Sequence, residues 1–141
     1  MHEKRKYSRL PVLHEMDEPI QIALSNKAVP GILVDLSAGG MSLLTFSAIP
    51  IGTEINLSIV VPGLKTQPIA GRVVWSINKG EMWRMGIVFA KLDSIDFRHI
   101  NRMAFDSADC DTKLGLGVTD VCAEKCSYFA LCSKPVKMKA V

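Results

Sequence analysis

The stretch Glu54-Ile55-Asn56-Leu57-Ser58-Ile59-Val60-Val61 alternates with a period of two, so Ile55, Leu57, Ile59 and Val61 share one face. An extended strand gathers those four side chains; a helix scatters them. A strand with one apolar face must bury it against other strands or a helix. Segments 20–24, 31–36, 41–46, 68–77 and 82–90 carry further short runs rich in apolar and β-branched residues. In 68–77, Ile69, Gly71, Val73 and Trp75 lie opposite Ala70, Arg72, Val74 and Ser76. Ser25-Asn26-Lys27, Pro50-Ile51-Gly52-Thr53, Pro62-Gly63 and Asn78-Lys79-Gly80 supply turn signals between them. Six short strands of this kind predict a mainly β fold, a small six-stranded antiparallel barrel or sandwich.

One helix comes after the strands. Asp93-Ser94-Ile95-Asp96 is rich in capping residue types, and Phe97, Ile100, Met103 and Ala104 recur at helical spacing. This amphipathic C-terminal helix is expected to pack on the barrel and cover an open end. Beyond Ser107 the composition turns to glycine and cysteine. The expected division is a basic N-terminal arm over 1–18, a barrel plus helix over 19–106, and a small cysteine-containing appendage with a basic tail over 107–141.

Composition narrows the function classes. Charged residues are 22% of the 141, hydrophobic ones 48%, a globular balance that argues against disorder. The net charge of +3 is too small to imply nucleic-acid binding. Lys4, Arg5, Lys6 and Arg9 crowd one end, however, and Lys134, Lys137 and Lys139 the other, so both ends attract anions. The first nine residues have no apolar region behind their charges, and no apolar stretch is long enough to span a bilayer. The expected location is cytoplasmic.

Between two apolar runs lies Val34-Asp35-Leu36-Ser37-Ala38-Gly39-Gly40-Met41, which places a carboxylate, a hydroxyl and two glycines at a strand end. Asp35 and Ser37 are two apart, so on extended backbone they share a face. By itself this reads equally as a turn in which Asp and Ser bond their own backbone. The second polar feature is Arg5-x-x-x-Arg9 in the arm.

Arg-x-x-x-Arg followed by Asp-x-Ser-x-x-Gly on a small six-stranded barrel resembles the PilZ domain family. The resemblance runs over residues 5–106 in element order, and Arg72-Val73-Val74-Trp75 and Arg84-Met85-Gly86-Ile87-Val88-Phe89 resemble the family's last two strands. The chain departs from the family in a lysine beside the first arginine and in the cysteine tail. The resemblance implies a six-stranded PilZ-like barrel that binds cyclic di-GMP, a bacterial second messenger with two guanines and two phosphates. Arg5 and Arg9 suit that ligand, because a guanidinium grips a phosphate, or guanine O6 and N7, through two hydrogen bonds. Lys4 and Lys6 add positive field. Asp35 can accept from guanine N1–H and N2–H₂ together, and Ser37 can bond base or phosphate. Gly39 and Gly40 would let backbone and ligand approach closely. Trp75 and Gly86 are expected to line the base site by stacking and by clearance. The arm is expected to be mobile without ligand and to order on binding, which a downstream protein would then read.

The four cysteines are a separate problem. Cys122 and Cys126 fall one helical turn apart, Cys132 comes six residues later, and Cys110 must return across a glycine-containing stretch. Zinc, an iron–sulfur cluster, packing thiols and disulfides all remain open on this spacing, with metal ligation by Cys110, Cys122, Cys126 and Cys132 the leading expectation.

Two rival classes stand beside a ligand-binding receptor. A basic barrel can bind single-stranded nucleic acid, but only 6% of residues are aromatic and no aromatic ladder lines a strand. A redox- or metal-sensing regulator would work through the cysteines. An enzyme is not expected: His2, His14 and His99 are scattered, and neither Gly-x-Ser-x-Gly nor a phosphate-binding Gly-x-x-x-x-Gly-Lys occurs.

Overall fold

A computed structural model describes residues 10–11 (backbone only), 19–118, 121–122, 126–132 and 134. The elements are β1 (Leu10–Pro11), β2 (Ile20–Ala23), β3 (Ala28–Leu36), β4 (Gly40–Thr45), β5 (Glu54–Leu57), β6 (Val60–Val61), β7 (Leu64–Lys65), β8 (Ile69–Lys79), β9 (Met82–Lys91) and α1 (Ser94–Gly115).

The main sheet runs β3-β2-β5-β8-β9-β4, and β4 pairs back onto β3. All of its pairings are antiparallel, so six strands close into a barrel without free edges between them. β1 pairs with the far end of β3, matching Leu10 to Leu36 and Pro11 to Asp35. Closure works because inward positions are apolar on every strand. Ile22, Leu33, Leu36, Leu43, Ile55, Ile69, Val73 and Met85 are almost fully buried. Each such side chain contributes about 1.5–3 kcal/mol relative to leaving it in water.

The 54–61 alternation survives in burial but not in pairing. Ile55, Leu57, Ile59 and Val61 are all buried, yet the strand breaks at Ser58-Ile59. Ile59 there exchanges hydrogen bonds with Thr66: its N–H donates to Thr66 Oγ1 at 2.9 Å, and its carbonyl accepts from the Thr66 N–H at 2.9 Å. Past the break the chain forms a separate hairpin, β6 with β7.

Among the described residues, two of the sheet's three register shifts set which side chains face outward at Asp35 and Trp75. The β3–β4 register shifts between Leu33 and Asp35, and the β8–β9 register between Val73 and Trp75. Leu33 and Val73 point into the core. Without the extra residue, Asp35 and Trp75, two positions on, would point there too. Each bulge turns its residue to the outer surface.

Helix α1 begins at Asp93, whose carboxylate accepts from the Ile95 N–H at 2.9 Å. Its buried stripe is Asp96, Ile100, Met103, Ala104 and Ser107. Asp96 tolerates burial because its Oδ2 accepts from the Gln67 N–H at 2.9 Å. The helix meets β1 and runs unbroken past residue 107 to Gly115, so it carries Cys110. Among the described residues no helix is long and apolar enough to cross a membrane.

Candidate functional site

The register places four residues in one row across the barrel's outer face: Asp35 opposite Ser42, Ser42 opposite Gly86, and Gly86 opposite Trp75. Met41 and Leu43 flank Ser42 and are buried inward, as are Met85 and Ile87 around Gly86, so the row itself faces out. The Trp75 indole lies flat over Gly86, where an added Cβ would stand 2.0 Å from Nε1 and 2.3 Å from Cε2. The clearance at Gly86 thus receives the indole itself, and a ligand would meet the ring rather than the glycine.

Gly40 has a different job. A Cβ there would fall 2.2 Å from the Ile87 carbonyl oxygen. The close approach it permits is between β4 and β9. Ser37 closes the turn between β3 and β4: its Oγ accepts from the Gly39 N–H at 3.2 Å and donates to the Gly40 carbonyl at 3.3 Å, and its N–H donates to the same carbonyl at 2.8 Å. The Phe89 N–H donates to the Gly39 carbonyl at 3.0 Å, tying the turn to β9. In this structure Ser37 and Gly39 therefore spend their polar groups on the turn, the local role that their composition also allowed.

Asp35, held out by the bulge, is 17% exposed and lies 3.7 Å from Arg84 Nη2. Two polar atoms nearby in the register are buried without a hydrogen-bond partner, Ser42 Oγ and Arg84 Nε. Arg84 and Ser42 were not among the expected site residues. Arg84 was legible in principle, since it stands two residues before Gly86 and so shares its face. Lys4, Arg5, Lys6 and Arg9 lie outside the described residues. A depression of about 450 Å³ lies elsewhere on the barrel, lined by Glu54, Arg72, Val88 and Phe89 among others.

The cysteines do not assemble as expected. All four are thiols. Among the described residues no group of three or more His, Cys, Asp or Glu side chains is gathered to hold a metal ion. The expected zinc or iron–sulfur site at Cys110, Cys122, Cys126 and Cys132 is therefore not supported. The physical reason is that Cys126 and Cys132 pack against the hydrophobic core, while Cys110 rides on α1. Tyr128 and Leu131 between them are buried in that same core. Polar contacts clasp this segment to α1. Asp106 Oδ2 accepts from the Ser127 N–H at 2.9 Å and from Ser127 Oγ at 2.6 Å. Lys134 Nζ donates to the Ser107 carbonyl at 2.7 Å, pairs with Asp111 at 2.9 Å and stands 5.5 Å from the Tyr128 ring centroid. Burial works against the Lys134 ammonium, but the Asp111 hydrogen bond and charge outweigh it and hold its pKa above the ordinary 10.5. Burial pushes the Cys126 thiol above 9.0; the Tyr128 backbone opposes this, and Asp106, Cys132 and Cys122 add to it.

Comparison with known proteins matches a family model described as the PilZ domain to residues 3–106. No curated protein sequence matches the chain. Among solved structures, the Bacillus subtilis inhibitor of motility superposes with a TM-score of 0.59 at 14% identity, over 76% of this chain and 52% of that one. PlzA of Borreliella burgdorferi, in complex with c-di-GMP, gives 0.51 at 15% identity, over 69% of this chain and 39% of that one. YcgR of Escherichia coli, also in complex with c-di-GMP, gives 0.54 at 18% identity, over 82% and 50%. The chain thus spans about half the length of the first of these proteins and less of the second.

Proposed function

The chain belongs to the PilZ domain family, and we propose that it is a receptor for cyclic di-GMP whose N-terminal arm orders over the bound ligand. Two of the similar solved structures are complexes with that nucleotide. The observation that carries the reading is a pairing: Leu10 and Pro11 are hydrogen-bonded in register with Leu36 and Asp35. Arg9 directly precedes Leu10 in sequence, and in the proposed bound state the arm's arginines join the Asp35 carboxylate around the nucleotide. Guanidinium for phosphate or the guanine Hoogsteen edge, carboxylate for N1–H and N2–H₂, and the exposed side of Trp75 for stacking make a complementary set. The protein acts in this reading as a cytoplasmic binding module, without catalysis.

Position supplies the route for a signal. Helix α1 lies against the same Leu10–Pro11 segment, so an arm that orders is felt by the helix. The ordered arm, with α1 behind it, forms the surface a downstream protein reads. Titration calorimetry with cyclic di-GMP tests the receptor reading: wild type binds, and Arg9→Ala and Asp35→Ala each weaken binding on the order of 100-fold. Amide exchange tests the arm. Protection of residues 1–12 is expected to rise at saturating ligand, and unchanged exchange there would refute the ordering step.

A further inference from the structure

We propose that Arg84 is a positioning residue that orients the Asp35 carboxylate for the guanine edge, an inference that rests on the cyclic di-GMP reading above. Arg84 lies on β9 and shares the outward face of Gly86 and the Asp35–Ser42–Gly86–Trp75 row. Its Nη2 stands 3.7 Å from Asp35 Oδ2, with the guanidinium side chain 40% exposed and the carboxylate 17%. Its Nε, by contrast, is buried and has no hydrogen-bond partner. The inner part of the head is thus wedged into the surface while its Nη2 lies toward Asp35. Among the described residues Asp35 is the one ion-pair partner of Arg84.

The distance matters. At 3.7 Å the contact is an electrostatic hold and not a hydrogen bond. A carboxylate offers about four acceptor positions, and at this distance Arg84 biases the direction of Asp35 without itself occupying one of them. Orientation is the quantity at stake, because one carboxylate meets N1–H and N2–H₂ together only when both oxygens lie along the base edge. The bulge before Asp35 lifts it from the core, and Arg84 supplies the aim. Ser42 Oγ, directly opposite Asp35 in the register, is fully buried and unpartnered, so it supplies no competing hold.

A contact this long, made by a guanidinium 40% exposed, adds little to stability, so its loss is expected to register in recognition. Titration calorimetry on the full chain compares wild type, Arg84→Met and Arg84→Lys. The probes are cyclic di-GMP and its hypoxanthine analogue, which keeps N1–H and lacks the 2-amino group. Arg84→Met is expected to weaken cyclic di-GMP about tenfold and the analogue less than about threefold, and Arg84→Lys to restore most of the difference. Arg84→Gln carries the same comparison should Arg84→Met lower the melting temperature. Equal loss for both ligands, or no loss, overturns the role given to Arg84 while leaving the receptor reading intact. Failure of wild type to bind either nucleotide overturns the receptor reading, and this inference with it.

Discussion

On the barrel's outer face, Ser42 Oγ and Arg84 Nε are buried without partners. On the C-terminal segment, the groups that hold it down are paired: Asp106 takes two hydrogen bonds from Ser127, and Lys134 reaches both Ser107 and Asp111. A buried polar group without a partner costs about 1–3 kcal/mol, so a fold keeps such groups only where something else requires them. Satisfied groups of the second kind serve attachment. The contrast agrees with the recognition role proposed for the barrel face and shows the cysteine segment held by satisfied contacts, although the segment carries the more conspicuous residues.

The largest effect expected from this contrast falls at Gly40. A Cβ 2.2 Å from the Ile87 carbonyl forces β4 and β9 apart, since neither backbone can give way. Gly40→Ala is expected to destabilise the fold by about 4 kcal/mol, read from the denaturant midpoint. A loss of nucleotide affinity at unchanged stability would instead make Gly40 a ligand contact. Leu131→Ala tests the other side. Leu131 is fully buried, and its truncation is expected to cost about 3 kcal/mol in a single cooperative transition. An unchanged main transition would show the segment to be a loose attachment, and the comparison would lose its second half.

How legible was this in the sequence? Apolar alternation at 54–61 correctly marked Ile55, Leu57, Ile59 and Val61 as inward. It could not mark the break at Ser58-Ile59, because Thr66 supplies the replacement hydrogen bonds from the far side of a turn. A strict period of two also puts Trp75 on the Val73 face. The bulge reverses that, and a bulge leaves no mark in residue type here. The helix could be read only as far as its apolar stripe, to Ala104. Beyond it α1 packs through Asp106, Ser107 and Asp111 against Ser127 and Lys134, and polar contacts of that kind carry no periodic signal. Four cysteines within a short stretch suggested a metal, whereas Cys126 and Cys132 serve as small apolar side chains at the core's edge. Asp35 stood out by its motif and Arg84 by sharing the face of Gly86, but only the closed β3–β4–β9 register brings the two together.

The smaller predictions concern the clasp. Asp106→Ala removes the acceptor of both Ser127 hydrogen bonds and is expected to cost about 1.5 kcal/mol, with cyclic di-GMP affinity unchanged. A parallel fall in affinity would mean that the two regions are coupled. Alkaline pH probes the same clasp more gently. Both perturbed groups have folded pKa values raised above their ordinary ones, 9.0 for Cys126 and 10.5 for Lys134. A raised group contributes in full below its unfolded value, and that contribution is lost as pH rises through the folded one. Stability is therefore expected to begin falling above pH 9.0 as the Cys126 thiol ionises against its buried surroundings, and to fall further above 10.5 as Lys134 loses its charge beside Asp111. Cys126→Ala should remove the first step and leave the second, as followed by urea midpoints under reducing conditions. A first step that persists in Cys126→Ala would place the titrating group elsewhere. A profile already falling below about pH 8 would be incompatible with both shifts, whose direction confines the loss to the alkaline side.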